Sequence, residues 1–244
     1  MRIRGERECQ ACGTRWTYYE TGSVECPDCG SVHSVGVGER TQHTDAAVEL
    51  DLAEVQTAVD EEPIRIVAET AADVANEYVR KRGFIDAGDL RTLDDRYLAV
   101  AELAALGDRL RRTMRPDDDA EYYLLELLRA ADAGTRPNPD QVPDSLRGAR
   151  GLAYSEAVRE YRRELSDWDD GDRDRVARDL DRLETHVRRV RTLDGDVDPT
   201  VVETLVEVAR DLGDACGGGG SVAETALARA RERLDGLRDR DRLD

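Results

Sequence analysis

The segments Cys9-Gln10-Ala11-Cys12-Gly13 and Cys26-Pro27-Asp28-Cys29-Gly30 carry the clearest chemistry in this 244-residue chain. In each, two thiols three residues apart sit on a tight turn, so that both sulfurs reach one point. The glycine that follows gives backbone amides the freedom to approach sulfur. The 13 residues between Cys12 and Cys26 suit a hairpin that brings the two turns together. Cys9, Cys12, Cys26 and Cys29 therefore read as one tetrahedral metal site. One structural Zn2+ per chain is the expected occupant, with iron in the same four-sulfur shell as the alternative. Four thiolates close the coordination shell and leave no position for a reacting water, so the metal holds a fold rather than activating a substrate. A redox C-x-x-C would need a strand–helix setting that is missing here.

Trp16 and Tyr18 are expected on one face of a short strand, sheltering the metal turns. The sharper expectation is a stacking platform for a nucleic-acid base, with Arg2, Arg4, Arg7 and Arg15 meeting phosphates. Glu6, Glu8, Glu20 and Glu25 are interleaved among those arginines. His33 lies four residues past Cys29 but the cysteine set is already complete, so it is expected on the surface. His43 and His186 stand without H-E-x-x-H spacing. Cys216 lies on an apolar helical stripe and reads as a small core residue.

The Cys-x2-Cys-Gly hairpin, the aromatic stretch Trp16-Thr17-Tyr18-Tyr19 and the Cys-Pro-x-Cys-Gly turn resemble the zinc ribbon of transcription factor IIB-type proteins over roughly residues 5–38. The remainder does not resemble the cyclin-like repeats that follow the ribbon in that factor. As a whole the chain resembles zinc-ribbon-containing proteins of unknown function from halophilic archaea. The resemblance implies a metal, not an activity.

There are 36 basic against 54 acidic residues, a net charge of -18, with a single lysine, Lys81. This composition resembles the proteome of salt-in halophilic archaea, where dense carboxylates keep a protein soluble although salt screens charge beyond about 3 Å at 1 M. No run approaches the roughly 20 apolar residues of a membrane-spanning helix, and no apolar h-region opens the chain. A cytoplasmic location is expected, since paired cysteines of this spacing mean metal in a reducing compartment.

Residues 1–40 have a net charge of -1 and residues 41–244 a net of -17. The division is structural as well: glycines and short alternating stretches before it predict small strands and turns, and a helical period follows. The expected fold is mostly α, a small N-terminal β zinc ribbon (1–40) followed by a multi-helix all-α domain. A linker or first helix (41–62), a helical domain (63–216), a Gly-rich joint (217–221) and a C-terminal helix (222–244) complete the division.

Apolar stripes after Pro63 locate the helices. Ile64 to Val79 form the first, with Gly83 expected to close it. Leu93 to Leu110 form a wide second stripe. Tyr122, Leu124, Leu125, Leu127, Leu128 and Ala131 suggest the most buried helix, with Asp117, Asp118 and Asp119 capping its start. Past the proline-rich loop 134–143, Leu146 to Trp168 form another stripe. Val176, Leu180, Leu183, Val187 and Val190 follow at 4-3-4-3 spacing, a seam expected to pack within the chain. Asp198-Pro199 opens a helix that ends at Gly217 to Gly220, which lack the Lys-Ser/Thr ending of a phosphate loop. A last helix starts near Val222, with fraying expected over Arg238 to Asp244. Arg159, Arg162, Arg163 and Arg188, Arg189, Arg191 lie within helical reach of Glu160, Glu164 and Glu184, so surface ion pairs are expected.

The leading functional expectation is a non-enzymatic zinc-ribbon adaptor for a protein or nucleoprotein partner, as monomer or weak dimer, with Arg4, Arg7, Arg15, Trp16 and Tyr18 as contact residues. The second is a nucleic-acid-binding, transcription-related regulator acting through the ribbon. The third is an enzyme built on Asp94, Asp95 and Glu102.

Overall fold

The computed structural model describes residues 1–240. The N-terminal ribbon contains β1 (Arg2–Ile3), β2 (Glu6–Cys9), β3 (Arg15–Thr17), the one-turn helix α1 (Tyr18–Thr21), β4 (Ser34–Val37) and β5 (Thr41–Gln42). β2 is the central strand of an antiparallel sheet in the order β3-β2-β4, with Arg7 opposite both Trp16 and Gly36. β1 and β5 pair at the root of the ribbon.

A helical body follows: α2 (Ala53–Glu61), α3 (Ile64–Lys81), the hairpin β6–β7 (Ile85–Asp86 and Asp89–Leu90), α4 (Asp95–Leu110) and α5 (Asp118–Ala133). Beyond two 3-10 turns come α6 (Arg147–Asp167), α7 (Arg173–Thr192), α8 (Pro199–Gly217) and α9 (Gly220–Arg240). The mostly α class with an N-terminal β ribbon is the observed one.

Local chemistry sets most boundaries. Asp94, Asp117 and Asp198 accept from backbone amides of the first turns of α4, α5 and α8, the N-cap arrangement. Gly83, expected to cap α3, does not: the helix ends at Lys81, and a Cβ on Gly83 would lie 2.4 Å from the backbone of Thr44. That glycine makes room for the segment leaving the ribbon.

α4 occupies the centre, packed on α3, α5 and α6. The expectation that α5 is the most buried helix is corrected. Its inner stripe runs through Ala120 and Tyr123 and excludes Tyr122, which is 69 % exposed. One residue is a rotation of about 100° on a helix, enough to move a ring from solvent to core. The α7 seam is buried against α6, α8 and α9. The glycines after α8 form the corner of a helical hairpin, and Ala226, Ala230, Leu234 and Leu237 of α9 join the same core as the preceding helices. α9 continues through Arg240; of the stretch expected to fray, residues 241–244 lie outside the described residues.

One apolar cluster runs from Leu52 to Leu237 and contains no ribbon residue. Among the described residues, the side-chain hydrogen bonds and ion pairs joining ribbon and body come from Arg2 and residues 42–45. Arg2 pairs with Asp169, Gln42 donates to the Asp167 carbonyl, and Asp45 meets Arg82 at 2.9 Å. No helix among the described residues is long and apolar enough to cross a membrane.

The excess of 17 negative charges on residues 41–244 makes stability salt-dependent. Screening shortens from about 10 Å at 0.1 M salt to about 3 Å at 1 M, so self-repulsion among unpaired carboxylates grows as salt is withdrawn. Thermal melts taken from about 3 M down to 0.1 M NaCl should show a falling midpoint. A flat series would mean that the ion pairs already neutralise the surface.

Candidate metal centre

The two cysteine turns are built alike. Cys9 N–H donates to the Thr14 carbonyl and Cys26 N–H to that of Ser31, both at 2.9 Å. Gly13 and Gly30 return amides to the carbonyls of Cys9 and Cys26, each glycine at positive φ (79° and 69°), a left-handed conformation that costs glycine little. The turns face each other across the sheet end, with Cys9 Sγ 3.7 Å from Cys29 Sγ and Cys12 Sγ 3.6 Å from Cys26 Sγ. All four sulfurs lie within 4.8 Å of one another.

A tetrahedron with metal–sulfur bonds of about 2.3 Å has sulfurs about 3.8 Å apart, so this cluster can hold one metal ion. Cys9 and Cys26 are buried, whereas Cys12 and Cys29 face solvent. Thr14 Oγ1 lies 3.2 Å from Cys12 Sγ and donates to Asp28 of the second turn at 3.3 Å, bracing one turn on the other.

The thiols show what a cation would do there. The Cys12 amide, followed by that of Ala11, draws Cys9 down to about 6. At Cys29 the Ser31 amide favours the thiolate, but the neighbouring sulfurs of Cys12, Cys9 and Cys26, with burial, push it up to about 12. Four thiolates at this spacing do not ionise together unless positive charge sits among them.

The expected contact residues do not assemble into one platform. β3 ends at Thr17 because its side chain caps α1, accepting from Tyr19 N–H. Trp16 therefore stays on the strand, its Nε1 donating to the Ser23 carbonyl, while Tyr18 starts a helix and meets His43 edge-on at 6.4 Å. The shared strand face expected for these two aromatics is thus corrected. Arg7 donates to the hydroxyl and carbonyl of Ser34, and Arg15 pairs with Glu8 at 2.6 Å. Arg4 is exposed.

The remaining sequence candidates also find their places. His33 is exposed and outside the sulfur cluster. His43 is buried at the ribbon root, accepting at Nδ1 from Ala87 N–H, with its ring tilted against that of Tyr19 at 4.7 Å between centroids. Burial lowers its pKa against the pull of Asp86 and Asp45. Cys216 lies in the core, its thiol pushed up to about 11 by burial. Glu160 and Glu184 pair with arginines as expected, but Glu164 turns inward and accepts from Phe84 N–H at 2.7 Å.

Asp94, Asp95 and Glu102 occupy three environments. Asp94 caps α4, Asp95 accepts from Arg136 and Arg210, and Glu102 is fully buried, accepting from Tyr123 at 2.6 Å. Glu102 belongs to a network the sequence reading missed. Arg150, 1 % exposed, lies 3.5 Å from Glu102, donates to Tyr123, Glu203 and the Pro137 carbonyl, and stacks over Tyr154 at 4.7 Å. Arg136 bridges Glu203 to Asp95. A signal was present: Glu102 sits four residues from both Leu98 and Leu106, and Arg150 four from Leu146 and Tyr154, charges on apolar stripes.

No curated protein and no solved structure matches the chain. A family match covers residues 1–234, taking in the cysteine ribbon and nearly all of the helical body. The chain thus belongs to the Family of unknown function (DUF7117).

Proposed function

We propose that the protein is a non-enzymatic adaptor whose ribbon, held by one structural Zn2+, contacts a protein or nucleoprotein partner while the helical body carries it. The observation that supports this reading is a cluster of four sulfurs, a full tetrahedral ligand set, on a ribbon that adds no side chain to the apolar cluster of the body. On that ribbon, whose body contacts are concentrated at its root, Val24, Val32 and Val35 are exposed, Val32 by 64 %. Soft sulfur ligands in a tetrahedron favour zinc, and a closed shell assigns it to folding. Since Arg7 and Arg15 are engaged within the ribbon, the freest contact groups are Arg4 and the valines.

The test compares the full chain with the variant Arg4→Ser, Val32→Ser, Val35→Ser in high-salt affinity capture followed by mass spectrometry. Loss of most of the captured partner, at unchanged zinc and helix content, is expected. Undiminished capture would place contact elsewhere and overturn the assignment to the ribbon.

A further inference from the structure

We propose that the groove between α3, α4 and α6 is a binding site for a linear aliphatic polyamine. The groove encloses about 750 Å³, with Met1, His43 and Thr44 of the ribbon segment among its lining residues. Its floor is small and apolar: Ala101, Ala104 and Ala105 share one face of α4, beside Val79 and Phe84. One wall is acidic. Glu156, Glu160 and Glu164 of α6 line the groove at intervals of four residues, about 6 Å along the helix.

Tyr97 supplies an independent pointer to a ligand. Its side chain is 5 % exposed and lines the groove, yet its hydroxyl has no hydrogen-bond partner among the described residues. Burial and the fields of Glu160, Glu164 and Glu156 hold this hydroxyl protonated well above the ordinary tyrosine range, as expected where three carboxylates bear on one buried ring. A cation there meets both the oxygen of Tyr97 and the carboxylates.

The chemistry of the lining selects among occupants. An anion would face the three glutamates and Asp108. Mg2+ and Ca2+ need six or more oxygens, which an alanine floor cannot supply. Amines joined by three- or four-carbon chains stand about 5–6 Å apart on standard bond lengths, matching the repeat of the glutamates. Their methylenes then lie on alanine and valine, and each ammonium keeps three donors for carboxylates and Tyr97.

Arg80, Arg82 and Arg163 also line the groove. Arg159 and Arg163, which pair with Glu156 and Glu160, are 40 % and 65 % exposed and can exchange for a ligand cation at little cost. Arg82 is held by Asp45, and Arg80 lines the groove from α3, favouring ligands that extend along α6.

The test is calorimetric titration of the full, metal-loaded chain with spermidine at about 0.1 M NaCl. Saturable one-to-one binding is expected. Glu160→Gln should weaken it by about tenfold or more, and Tyr97→Phe, which changes no charge, by about threefold to tenfold. Ala105→Leu, which fills the groove, should abolish it. Asp118→Asn with Asp119→Asn, which removes charge at the start of α5 from two residues outside the groove lining, should leave affinity unchanged. Absence of saturable binding, or an affinity that follows net charge alone and ignores Tyr97→Phe and Ala105→Leu, would overturn the proposal. So would a lysine-rich peptide that binds the same groove far more tightly than spermidine, since the site would then be a protein-docking surface.

Discussion

Removal of the metal by a chelator, or the change Cys26→Ser, should unfold residues 1–40 and leave the helical signal of the body nearly intact. Among those residues the only buried positions are Gly5, Cys9 and Cys26, so two of the four candidate metal ligands make up most of the ribbon's interior. Nothing apolar replaces them. Structural zinc sites contribute about 10–16 kcal/mol of apparent binding free energy at neutral pH, more than a segment without a core can recover by other means. The body stands differently, because its apolar cluster starts at Leu52 and needs no ribbon side chain. The contacts of Thr44 and Asp45 with the body lie beyond the last ribbon strand and should persist. Elemental analysis should find one equivalent of metal before treatment. Limited proteolysis should then cut within residues 1–40 while far-ultraviolet circular dichroism changes little. A collapse of helicity on chelation would show that the body depends on its ribbon.

Arg150→Met should destabilise the helical body by about 3–5 kcal/mol, because it leaves Glu102 buried with no cation and Glu203 short of one. For a chain of this size the melting temperature should fall by roughly 10 °C. Replacing Glu102 as well, in the double variant Arg150→Met, Glu102→Leu, should recover much of the loss, since apolar groups of similar volume tolerate burial better than an unpaired charge. The pH dependence identifies the cause. Burial holds the Glu102 carboxyl above its ordinary value of 4.5, opposed by Arg150 and by the Tyr123 hydroxyl. Without Arg150 it rises further. A carboxyl raised in the folded state binds its proton more tightly than in the unfolded chain, so stability falls as pH climbs from the unfolded value through the folded one. The deficit of Arg150→Met relative to the parent should therefore be largest at neutral pH and shrink as pH falls toward 4.5. Denaturant melts across that window measure it. A deficit independent of pH would mean that lost packing of the arginine stem against Tyr154, rather than an uncompensated charge, accounts for the destabilisation.

Legibility in the sequence followed the range of the interactions. The four-cysteine cluster could be read because each turn is a five-residue device and the two lie close along the chain, so residue type and spacing nearly suffice. Helix starts at Asp117 and Asp198 and the buried seam of α7 are likewise local, set by a side chain reaching the next turn or by a period of 3.6 residues. Local patterns failed where one residue altered the outcome: Thr17 served as a cap and separated Trp16 from Tyr18, and in α5 it is Tyr123 rather than Tyr122 that faces inward.

The tertiary structure alone decided the pairing of Arg150 with Glu203 across 53 residues and of Arg210 with Asp95 across 115. It also decided how Arg2 meets Asp169 at the ribbon root, and which helices face Tyr97 across the groove. A charged side chain on an apolar stripe announces that a partner is needed. Which partner answers depends on packing angles and on long-range contacts whose strength comes from exclusion of water, a property of the assembled core that no stretch of sequence possesses by itself.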